Sequence, residues 1–136
     1  MSEDKIIIIY KIEKLEDLEG NLISSKDRAG MAVRAYAYAD GIHAFIAEDG
    51  RQTNGIVGMN GNFISFYESF IRASVRTSLD SCISRGDKIT VVDGLFVKAD
   101  KDSHVVAVAM IDSNLNCDYV VILAQSLKGS IRMYCE

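Results

Sequence analysis

The stretch Asn62–Arg85, NFISFYESFIRASVRTSLDSCISR, contains neither glycine nor proline, follows a glycine-rich run and ends at Gly86. Glycine and proline punctuate regular structure, so this stretch predicts one continuous element. As a helix it would be roughly 35 Å long, enough to cross a small sheet. Asn62 is placed to cap it, its side-chain oxygen accepting from an amide of the first turn. Glu68 near the start and Arg85 at the end suit the helix dipole. On a helical wheel, Ile64, Ile71, Val75 and Cys82 fall on one line flanked by Tyr67 and Leu79. Phe63, Phe66 and Phe70 form a second apolar line, and Ser65, Ser69, Arg72 and Arg76 make the polar side. Two readings of this wide arc stay open. The helix is either deeply buried in one domain, or covers its own sheet with one line and a second copy of the chain with the other. On the second reading Phe63, Phe66, Phe70, Ile71, Arg72 and Arg76 are the interface.

The rest of the chain reads largely as strands. Its turns must come from Gly and Asx, because there is no proline. Asp40-Gly41, Asp49-Gly50, Asn54-Gly55, Asn60-Gly61 and Asp93-Gly94 are all turn dipeptides, which implies several tight reversals. Strands are predicted at Lys5–Ile12, Ile42–Glu48, Lys88–Val92, Leu95–Ala99, His104–Ile111 and Tyr119–Ala124, with Arg51–Met59 as a returning partner. Leu15 and Leu18 suggest one helical turn closed by Gly20. Lys26–Ala39 is open between helix and strand, as is Tyr119–Ala124. In the former, Arg34, Tyr36 and Tyr38 alternate with Val33, Ala35, Ala37 and Ala39, which favours a strand, while the alanine content favours a helix. The expected fold is α+β: one domain over 1–136, an antiparallel sheet of five or six strands packed on one long central helix.

At 136 residues the chain is long enough to bury a core without staples. The net charge of −4, with no basic run, argues against a general nucleic-acid surface. No apolar run approaches the length of a membrane span. The start MSEDK is acidic, unlike a signal peptide. Cys82, Cys117 and Cys135 are odd in number and scattered, and His43 and His104 make no cluster with them. A disulfide framework, a metal site and a cofactor are therefore not expected, and a reducing cytoplasm is.

From Gly41 onward the predicted order is strand, turn, strand, long helix and a three-strand meander. GIHAFIAEDGR, the helix up to CISRGDKITVV, and FVKADKDSHVVAVAMIDSNLN carry it, the last ending at Asn114-Leu115. This order resembles the Roadblock family and, more loosely, its longin-like relatives. The resemblance implies a homodimer built through a sheet edge and the long helix, without catalysis, acting as a scaffold or a regulator of small GTPases. The KIIIIYKI strand and a strand-like Tyr119–Ala124, where the family has a short helix, depart from that pattern.

Several groups are candidates for chemistry. Gly55–Asn62 precedes the long helix, and its glycines allow close backbone approach. A small phosphorylated ligand is an alternative function there, with Arg51, Gly58, Asn60, Gly61 and Asn62 as the site. The loop has no lysine and lacks GxGxxG spacing, so it is not a P-loop. Glu68 and Arg72 read as an i,i+4 pair on a solvated face. A hotdog-type thioesterase with Glu68 as its carboxylate is a third reading, but no acid–base partner is near in sequence and no catalytic residue is assigned. Arg34, Tyr36 and Tyr38, if on a strand, form an aromatic and cationic stripe that can stack on a planar ligand or serve a subunit interface. The leading expectation is a non-enzymatic module that dimerises and binds another protein.

Overall fold

The structure, a computed structural model, describes residues 9–66, 71–78, 82–113 and 119–124. Among them eleven strands occur: β1 (Ile9–Glu16), β2 (Leu22–Ile23), β3 (Ala32–Tyr38), β4 (Gly41–Ile46), β5 (Gly55–Val57), β6 (Asn62–Ser65), β7 (Ile71–Arg76), β8 (Lys88–Val92), β9 (Leu95–Lys98), β10 (Ala107–Ala109) and β11 (Tyr119–Ala124). The one helical element among the described residues is a 3-10 turn, Ser25–Arg28. The α+β expectation is thus corrected to a nearly all-β fold, and the Roadblock-like arrangement goes with it.

The correction centres on the Asn62–Arg85 stretch, which forms β6 and β7 instead of a helix. A spacing of four keeps two residues on one face of a helix and also on one face of a strand. The residues between decide. In β7 and just beyond it, Val75 and Thr77 are buried and Ala73 packs on the core, while Arg72 and Ser74 are exposed. That is period two, and the aromatic and β-branched content of the stretch agrees with it. Leu15 likewise belongs to β1, with no helical turn there. The segment Lys26–Ala39 resolves into the 3-10 turn and β3, and Tyr119–Ala124 is β11. Glu68, Phe70, Cys117, Cys135 and Asn114-Leu115 lie outside the described residues.

Strands β1, β4, β3, β5 and β6 pair in that order and β6 returns to β1, closing a five-stranded barrel with β2 appended to β1. The β1–β4 pairing is parallel, and a register shift between Ile12 and Lys14 marks a bulge. The second sheet, β7-β11-β10-β8-β9, is antiparallel throughout. Alternation in the shared strands serves two cores. Val33 and Val57 lie in a cluster with Ile12, Leu15, Ala44, Ile46 and Phe63, inside the barrel. Their neighbours Ala32 and Ile56 join Phe66, Val75, Ile89, Phe96 and Ile122 in the larger core under the second sheet. A strand buried on both faces reads as a continuous apolar run, which is why Gly55-Ile56-Val57 is buried throughout.

Main-chain bonds fasten the two halves. Asp93 and Gly94 both have positive φ (50° and 85°) and form the two-residue turn between β8 and β9, the geometry an Asp-Gly hairpin favours. The Asp93 amide donates to the Glu48 carbonyl at 2.9 Å, and the Gly94 carbonyl accepts from Ala32 at 2.9 Å. The Arg76 amide donates to the Gly30 carbonyl at 2.8 Å. No helix of the described residues is long and apolar enough to cross a membrane.

Candidate functional site

Strand β3 carries AVRAYAY and β4 carries GIHAFI. Their register sets Arg34 opposite Phe45, Tyr36 opposite His43 and Tyr38 opposite Gly41. Val33 and Ala35 are buried in the barrel, so the alternate positions Arg34, Tyr36 and Tyr38 lie on its outer face, all exposed. Tyr36 meets Phe45 edge to face, with centroids 6.0 Å apart, and Tyr38 meets His43 in the same way at 4.2 Å. The Arg34 guanidinium carbon lies 5.2 Å from the Tyr36 ring centroid, within cation–π range. His43 Nε2 is 2.8 Å from Asp40 Oδ1, which fixes the imidazole beside Tyr38. Lys14 and Glu16 of β1 pair with His43 and Phe45. The result is an aromatic face edged by charges of both signs. Tyr36 and Tyr38 keep 39% and 52% of their surface accessible. Rings held by one another lose little freedom on contact, which suits a binding surface.

Around the edge of this face the barrel has a mouth. β3 pairs with β5 only through Ala32 and Val33. One step further the Asn54 side chain takes over the role of a strand. Its Oδ1 accepts from the Ala35 amide and its Nδ2 donates to the Ala35 carbonyl, both at 2.9 Å. Beyond that point β3 has no partner on this side among the described residues. A cavity of about 240 Å³ opens there, lined chiefly by Tyr10, Tyr36, Ala37, Ile42, Asn54 and Phe63. Tyr10 stacks on Phe63 at 6.4 Å and forms one lip; Tyr36 forms the other.

The loop singled out for a phosphorylated ligand is the β5–β6 hairpin. The Gly58 amide donates to the Asn62 carbonyl at 2.7 Å and the Gly61 amide to the Gly58 carbonyl at 3.0 Å, while Asn60 is exposed at the tip. Gly61 has φ of 80°, and a Cβ there would stand 2.8 Å from Ser25 Oγ, so the turn is packed against the 3-10 segment. Arg51 sits in a separate turn, Asp49–Gln52, and lines another cavity with Thr90 and His104. Arg51 is therefore not brought together with Gly58, Asn60, Gly61 and Asn62.

The six interface candidates are also dispersed. Phe63 is inside the barrel and Phe66 inside the larger core. Ile71 pairs with Ala124 in the second sheet. Arg72 is exposed, and Arg76 is half-buried with Nη2 donating to the Asp27 carbonyl at 3.4 Å. The aromatic face instead joins the Arg34–Tyr36–Tyr38 stripe to His43 and Phe45. Those partners were hidden because β-register, which a single strand does not specify, brings them there.

No family model matches the chain, and no curated protein matches it. Among solved structures it is similar to the crystal structure of the head fiber gp8.5 N base in bacteriophage phi29. The TM-score is 0.55 at 16% identity, over 90% of this chain and 95% of that one. A likeness at this identity is one of fold, and it is to a phage head fiber base in place of the Roadblock family expected from the sequence pattern.

Proposed function

We propose that this chain is a non-enzymatic structural module that self-associates and fastens to another protein of a larger assembly through the β3–β4 face. The observation that carries the reading is the pair of exposed tyrosines, Tyr36 and Tyr38, braced by the half-buried rings of Phe45 and His43, with Arg34 over Tyr36. Tyrosine and arginine supply much of the binding energy at protein interfaces, because each buries a large area with few rotatable bonds or several donors. The fold likeness to the base of a phage head fiber supports an attachment role. Regulation of a small GTPase rested on the Roadblock resemblance and is dropped with it. The scattered cysteines support assembly in the cytoplasm.

The test is light scattering on the full chain and on a Tyr36→Ser/Tyr38→Ser double variant. The chain should exceed its monomer mass of 15.0 kDa, and the variant should associate about tenfold more weakly or worse with an unchanged melting temperature. A parent chain that stays monomeric at roughly millimolar concentration refutes self-association. A double variant that associates as well as the parent removes the aromatic face from it.

A further inference from the structure

The open stretch of β3 has a specific polarity. The Ala35 amide and carbonyl point to Asn54, away from β4. In an antiparallel ladder these directions alternate, so the Ala37 amide and carbonyl point the same way. Ala37 pairs with Ile42 on β4 as a non-hydrogen-bonded pair, it is exposed, and no main-chain group among the described residues meets it on the open side. One donor and one acceptor thus stand at the rim of a cavity walled by Tyr10, Tyr36, Ile42 and Phe63. Arg34 stands beside Tyr36 and has no carboxylate partner among the described residues.

We propose that this edge receives one extended peptide segment of a partner protein. The segment continues the line of β5, which is antiparallel to β3. Its central residue exchanges two main-chain bonds with Ala37 and sends an apolar side chain into the cavity between the tyrosines. The residue that follows lies beside Tyr36 and is acidic, facing Arg34. This is strand addition, in which main-chain bonds give affinity and alternate side chains give selectivity. A second copy of the chain does not fit this edge. Asn54 already occupies Ala35, so one residue of edge and a cavity of about 240 Å³ remain. A ladder between two copies would need several open residues of edge, whereas one residue of a peptide fills this site.

The inference rests on the interaction-module reading, and its test separates the two. The probe is a capped hexapeptide of threonine and valine with a central leucine followed by aspartate. Controls have the reversed order, and N-methylation at the leucine. Binding to the full chain is followed by nitrogen-15 amide spectra and by light scattering on the same samples. The probe should shift the Ala37 amide and slow its hydrogen exchange. Reversal and N-methylation should each weaken binding about tenfold. Ala37→Pro should do the same, and since the lost amide makes no bond to β4 the substitution should leave the melt intact. If that variant does not fold, the N-methyl peptide decides alone. No response at roughly 1 mM probe, or binding indifferent to N-methylation, overturns the inference. So does a fall in chain mass on Ala37→Pro, which would make a second copy the occupant. A chain that associates through Tyr36 and Tyr38 but ignores the probe sinks this inference and spares the functional reading. A monomer that binds the probe spares this inference and leaves the functional reading its partner-binding half without self-association.

Discussion

Asn54→Ala should cost about 2–3 kcal/mol of stability, with the loss coming from a side chain that stands in for a strand. Asn54 makes two bonds to Ala35, both at 2.9 Å, in a part-buried seam. A net contribution of about 1 kcal/mol each gives about 2 kcal/mol. The remainder depends on what happens to the Ala35 amide and carbonyl. A sealed site would add about 1–3 kcal/mol for each unsatisfied group. Here Ala35 and Asn54 both line the open cavity, so water can reach the seam and the penalty stays at the low end. Urea unfolding with unchanged m-value is the assay. Asn54→Asp sharpens it. The new carboxylate keeps the bond from the Ala35 amide but faces the Ala35 carbonyl without a donor, so at neutral pH the variant should lose one of the two seam bonds and at least about 1 kcal/mol of stability. A loss under about 0.5 kcal/mol for Asn54→Ala would refute the view that this side chain holds the barrel seam.

Gly94→Ala should destabilise by about 1–3 kcal/mol, because φ is 85° and the new Cβ would lie 2.6 Å from Met31 Cε and 2.7 Å from Ile46 Cγ2; thermal and urea melts measure it. Asp17 holds the turn after β1, accepting from the Asn21 amide at 2.8 Å and the Glu19 amide at 2.9 Å, and these bonds, that from Asn21 first, lower its pKa below the ordinary 3.8. A depressed folded value stabilises above the unfolded one and is lost as pH falls through the folded value. The stability gap between the parent and Asp17→Ala should thus hold constant from neutral pH down to near 3.8 and close below it. A gap that persists unchanged at pH 2 would contradict this.

Much of the β-structure was legible because its signals are local. Asp40-Gly41, Asp49-Gly50, Asn60-Gly61 and Asp93-Gly94 do mark reversals, β8 and β9 lie where the apolar runs put them, and Tyr119–Ala124, open between helix and strand from sequence, is β11. Asn54-Gly55 was misleading: Asn54 extends the edge of β5 through its side chain, a use of asparagine that depends on a distant strand. The Asn62–Arg85 stretch failed for a different reason. The Ile71–Val75 spacing of four satisfies both periods, the Phe63–Phe66 and Ile64–Ile71 spacings match a helix although they fall in different strands or faces, and no glycine or proline separates β6 from β7. The site was half visible. Arg34, Tyr36 and Tyr38 formed a readable stripe once β3 was a strand, whereas Tyr10, His43, Phe45 and Asn54 reach it only through barrel closure and register.

Hydrogen exchange of the full chain at low and high concentration maps self-association onto the sequence. Added protection is expected at Arg34–Phe45 on association, with the second sheet unchanged. Added protection confined to Leu95–Ile111, with Arg34–Phe45 indifferent to concentration, would contradict it.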